Sequence, residues 1–125
     1  MPTAEEAIQE LLEMSNSIRQ AVLVRGDDEV LASTFDRKEA EDAMVRTARA
    51  MLKEASGEAR VMGRSALSQL YVETTSGCVF IASGERDTWL AATTGTDPTV
   101  GLVLYDVNTA LRTALEGEDQ SEYAK

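Results

Sequence analysis

Apolar residues recur at Ala4, Ala7, Ile8, Leu11, Leu12 and Ile18, with Ser15 on the same stripe, and the spacing predicts a first helix over roughly residues 4–18. Thr3 and Glu6 stand three apart at its start, where a hydroxyl and a carboxylate can satisfy free N–H groups reciprocally. "QAVLVRGDDEVLASTFD" then gives two short apolar runs around Gly26-Asp27-Asp28, a hairpin signal. A second stripe, Ala40, Met44, Ala48, Met51, Leu52 and Ala55, marks a second helix, capped by Asp36 with Glu39 and ending near Gly57. "EARVMGR" breaks that stripe and reads as a loop. "ALSQLYVETTSG", "CVFIASGERD" and "TWLAATTG" follow as three strands, divided by Ser76-Gly77 and by the polar turn from Gly84 to Asp87.

The strands do not alternate cleanly between apolar and polar. "AVLV", "CVFIA" and "WLAA" are apolar on both faces, so the sheet they form must be covered on both sides. "TDPTVGLVLYDVNTALRTAL" supplies the last cover. Its first half is rich in Val, Leu and Tyr, like a strand, yet Val100, Val103, Leu104, Val107, Ala110, Leu111, Ala114 and Leu115 fall on one helical stripe. Asp97 as N-cap and Pro98 at the first helical position would start it. The order is α-ββ-α-βββ-α, an α/β protein of the α+β type.

At 125 residues the chain is one domain, taken as residues 1–117, with an acidic and flexible tail at 118–125. No apolar run approaches the roughly 18 residues of a membrane span, so membrane insertion is not expected. A lone cysteine, Cys78, and the lack of a signal-like N-terminus make a reducing cytoplasm the expected location.

Charge changes the picture more than composition does. The net charge is −10, with eight acids against two bases in residues 1–36 and nine against three in residues 65–125. Only residues 37–64 are locally basic, with seven bases against five acids. An acidic body argues against nucleic-acid binding, which phosphate neutralisation dominates. The sequence has no histidine, the commonest general base and metal ligand, and no GxxxxGK phosphate loop. No catalytic residue, cofactor or metal is expected. Arg25-Gly26-Asp27 is read as the hairpin turn and not as an adhesion motif.

This order of elements, with "AVLVRGDDEVLAS" as the first hairpin and "LAATTGTDPTVGLVLYDV" as the last strand and helix start, resembles the roadblock (dynein light chain) family and its bacterial MglB-like regulators. The turn Asp27-Asp28-Glu29 is more acidic than is usual in that family. The resemblance implies a profilin-like α/β/α sandwich with a five-stranded antiparallel sheet, the second helix on one face and the first and third on the other. It also implies a homodimer formed through the third strand and second helix, and a non-enzymatic platform for a Ras-like small GTPase. The interface residues would be Leu67, Gln69, Leu70, Tyr71, Val72 and Glu73, with Met44, Ala48 and Met51. Arg46, Arg49 and Lys53 are the candidate docking residues for the partner, unless they are only a salt-bridged solvent face. Glu6, Glu10 and Arg112 mark the alternative docking face on the first and third helices. The rival reading is a small-ligand or sensory module of similar fold, which a deep apolar pocket with convergent polar groups would favour.

Overall fold

The computed structural model describes residues 3–123, with side chains described over 3–117. The elements are α1 (Ala4–Met14), β1 (Ile18–Arg25), β2 (Glu29–Ser33), α2 (Lys38–Val61), β3 (Gln69–Thr74), β4 (Gly77–Ser83), β5 (Thr88–Thr94) and α3 (Val100–Tyr123). The five strands form one antiparallel sheet in the order β2-β1-β5-β4-β3. The order read from the sequence is the order observed.

Two apolar layers explain why the central strands are apolar on both faces. Ala21, Leu23, Phe80, Ala82, Leu90 and Ala92 point to one side and pack with Ala7, Ile8 and Leu11 of α1 and Val103, Val107 and Leu111 of α3. Val22, Val24, Ile81, Trp89 and Ala91 point to the other, against Val45 and Ala48 of α2. A period of two along each strand divides the residues between these layers. The α2 layer is the thinner one, for Val45 and Ala48 are the only fully buried residues of that helix.

The helix ends differ from the sequence reading, each for a local reason. Thr3 and Glu6 do form the reciprocal cap of α1, but the helix stops at Met14 and not near 18. Ser15 is extended and buried, and Ile18 opens β1 opposite Thr94. Asp36 does not cap α2. The N-cap is Arg37, without a side-chain cap bond, and Glu39 pairs with the Arg37 guanidinium instead of reaching back to a backbone N–H. α2 runs through Gly57 to Val61, so residues 58–61 are helix and not loop.

The stop comes at Gly63, where φ is +75° and the N–H groups of Met62, Gly63 and Arg64 bond back to Glu58, Arg60 and Ala59. Gly57 therefore sits in a helix interior with open space where a Cβ would stand. Gly57→Ala should stabilise the protein by about 0.5–1 kcal/mol, read by chemical denaturation, because alanine loses less backbone freedom there.

α3 begins at Val100, two residues later than Pro98. Asp97 has φ +56°, a left-handed turn conformation and not an N-cap, and the Thr99 carbonyl accepts the first helical bond, from the Val103 N–H. The helix continues to Tyr123. The flexible tail expected at 118–125 concerns side chains and terminal residues that lie outside the described ones.

Candidate functional site

Two edges bound the sheet, and they are built differently. β2 is short, its pairing with β1 carries a register shift at Leu23/Val24, and it leads out of the acidic turn Asp27-Asp28-Glu29. Bulges and charges of this kind keep an edge from pairing with another chain. β3 has a regular register with β4, from Gln69 opposite Ala82 to Thr74 opposite Gly77. Ser83 donates to the Ser68 carbonyl, which fixes the alternation. Leu70, Val72 and Thr74 thus bond to β4, while the N–H groups of Gln69, Tyr71 and Glu73 face the outer edge.

Side chains on β3 follow the same alternation. Tyr71 stacks on Phe80 at 4.8 Å between centroids and donates to Glu73 at 2.8 Å. That bond, reinforced by the nearby Cys78 thiol, raises the Tyr71 phenol above its ordinary range. Leu70 packs on the α2 layer beside Val79, Met44 and Met51, and all four remain half-buried. Val72 and Leu67 are half-buried as well, and Gln69 and Glu73 are exposed. Ala48 is different: it is fully buried in the chain's own core and has no surface to offer a second chain.

Four of the seven bases of residues 37–64 are held by neighbours, in two separate sets. Arg37 pairs with Glu39, and Lys38 with Glu41 and Asp42 at 3.2 and 3.4 Å. The bond to Glu41, then that to Asp42, holds the Lys38 ammonium above its usual range. These two are a salt-bridged solvent face. Further along α2, Arg46 is exposed and bonds to none of the described residues.

Arg49 and Lys53 reach the hairpin tip, which the sequence alone did not reveal. Arg49 Nη1 donates to the Asp27 carbonyl at 2.9 Å, and Lys53 Nζ meets Asp27 Oδ1 at 3.0 Å. The Lys53 bond holds the Asp27 carboxyl below its ordinary range. Behind them Trp89 Nε1 donates to the Gly26 carbonyl at 2.9 Å, and the Gly26 N–H donates to Asp87 at 2.7 Å. An open cleft of about 370 Å³ lies between the tip and α2, lined by Arg49, Lys53, Arg60, Asp27, Asp87 and Trp89 among others. It is wide open and charged, not a deep apolar pocket.

Cys78 is buried, and the described residues include no group of three or more Cys, Asp or Glu side chains that could hold a metal ion. No helix among the described residues is long and apolar enough to cross a membrane.

One antiparallel sheet, with α2 alone on one face and α1 with α3 on the other, is the Roadblock/LC7 fold. A Roadblock/LC7 domain from Streptomyces avermitilis superposes with a TM-score of 0.83 at 17% identity, over 92% of this chain and 97% of that one. MglB from Myxococcus xanthus gives 0.79 at 13% identity, over 93% and 95%. An MglB in a tetrameric arrangement gives 0.77 at 15% identity, over 89% and 84%. No family model matches the sequence, and no curated protein does. At these identities the likeness is one of fold.

Proposed function

We propose that the chain is a non-enzymatic, homodimeric scaffold of the cytoplasm that binds a Ras-like small GTPase and modulates its nucleotide cycle or location. The observation that carries this reading is the regular outer edge of β3, free of bulges and with Glu73 as its one charged residue, beside a thinly covered α2 layer. Pairing β3 with its symmetry mate would satisfy the outward N–H groups of Gln69, Tyr71 and Glu73 and cover Leu70, Val72, Met44 and Met51. A stable interface of that kind buries on the order of 1,600 Å² in total. The fold it shares with MglB supports the same reading.

Docking is assigned to the α2 face. Two-fold symmetry would double Arg46, Arg49 and Lys53, and an acidic partner surface would meet them. Such charges act mostly on association rate, so binding should weaken as salt rises. Reversing Arg46 and Arg49 to Glu should lower GTPase affinity by about 1–3 kcal/mol in a calorimetric titration, with circular dichroism unchanged. If the GTPase sits on α1 and α3 instead, that variant binds normally and charge changes at Glu6, Glu10 or Arg112 weaken binding. Loss of binding in neither set would leave the scaffold without a mechanism.

A further inference from the structure

The outer surface of α1 and α3 faces away from α2, across the sheet, and is built unlike the rest of the molecule. Met14, Leu102 and Tyr105 are 66%, 58% and 66% exposed, three of the five large apolar side chains left open to water among the described residues. They are not scattered. Met14 lines the shallow groove between the two helices, with Glu10, Leu11, Asp106 and Thr109. Leu102 and Tyr105 stand one turn before Asp106 and Thr109 on α3, so helical spacing stacks them along the same ridge. The groove measures only about 50 Å³, room for a water or two and not for a small molecule.

Charge around this apolar ridge is predominantly of one sign. α1 carries Glu5, Glu6, Glu10 and Glu13 and no base, and α3 as far as Gly117 carries Asp106 and Glu116 against Arg112 alone. None of these six carboxylates forms an ion pair with a described residue. Two copies meeting through this same surface would set carboxylate against carboxylate, and an anionic membrane or a nucleic acid would set phosphate against it. Exposed apolar contacts within an acidic rim fit the opposite chemistry. A helix with leucine-like residues on one face lies along the shallow groove against Met14, Leu102 and Tyr105, and its lysines or arginines reach the rim.

We propose that the α1/α3 surface is a docking site for a basic amphipathic helix of another protein, with Met14, Leu102 and Tyr105 as the apolar contacts and Glu10, Glu13 and Asp106 as the charged rim. The site is independent of the β3 edge and the α2 face, so it can be filled while both are engaged.

A fluorescently labelled Leu/Lys peptide with leucines on one helical face provides the test, titrated with the full chain at physiological salt and followed by anisotropy. The expected result is saturable binding that falls at least about tenfold in Leu102→Ser/Tyr105→Ser and in Met14→Ser, and persists in Tyr105→Phe. A scrambled peptide of equal charge should bind at least about tenfold more weakly. These residues are exposed, so melting of the variants should be unchanged, and Tyr105→Phe with Met14→Ser suffices if the double variant misfolds. Equal binding by the scrambled peptide, or unchanged binding by the variants, overturns the proposal. So does a fall in oligomeric state of the double variant in sedimentation, which would make the occupant a second copy.

Discussion

Glu73→Pro is expected to convert a dimer into a monomer while leaving the fold intact. The Glu73 N–H faces the outer edge of β3, because Cys78, its opposite number on β4, lies in a pair that exchanges no backbone bonds. Proline there removes a donor that the single chain does not use, and edge strands tolerate proline for that reason. On the proposed pairing the same donor crosses the two-fold axis, so the loss is felt only in the assembly. Leu70→Pro is the control with the other outcome. Its N–H bonds to β4, and its removal should cost about 1–3 kcal/mol of fold stability whatever the oligomeric state. Sedimentation equilibrium with thermal melting reads both. A dimer that survives Glu73→Pro would place the contact elsewhere, and an unmutated monomer at micromolar concentration would remove it.

Gly77→Ala is expected to be among the most damaging small changes in the chain. Gly77 opens β4 with φ +155°, and a Cβ built on it would stand 2.5 Å from the Thr94 carbonyl oxygen. That oxygen is backbone of β5, which is fixed on both sides by β1 and β4 and cannot swing aside as a side-chain tip could. Relief requires β4 and β5 to part where Cys78 pairs with Thr94. The cost should be about 2–4 kcal/mol, a fall in melting temperature of roughly 10 °C. The same substitution at Gly57 carries the opposite sign, so the two variants together separate backbone fit from side-chain chemistry. A neutral Gly77→Ala would mean that the β4–β5 seam yields more readily than its register implies.

Periodicity made the architecture legible because each layer left its own mark. The stripe Val100 to Leu115 revealed a helix despite strand-like composition, and the doubly apolar runs required cover on both faces. Boundaries were less legible because several residues serve two purposes. Ile18 continues the stripe of α1 but belongs to the sheet, and Gly57 looks like a stop although only Gly63 has the positive φ that ends the helix. Asp97 and Pro98 have the composition of a helix start, yet a left-handed turn is an equally good use of an aspartate.

The candidate site was legible as a set of types and not as an arrangement. A run of bases around α2 is visible in sequence, but its division into Arg37 and Lys38, which are neutralised locally, and Arg49 and Lys53, which clasp Asp27, depends on contacts across more than twenty positions. Ala48 shows the converse. Its place on the helical stripe beside Met44 and Met51 cannot tell core from interface, and its full burial assigns it to the core. The acidic turn Asp27-Asp28-Glu29 stood out as unusual, and the structure gives part of it a partner on α2.

The central claim is tested most directly by calorimetric titration of this protein with each Ras-like GTPase of its source organism, loaded with GDP or a non-hydrolysable GTP analogue. The account predicts that one of them binds saturably, prefers one nucleotide state, loses affinity as salt rises and is weakened by Arg46→Glu/Arg49→Glu. Absence of binding by every one of them, in both nucleotide states and at low salt, would contradict it.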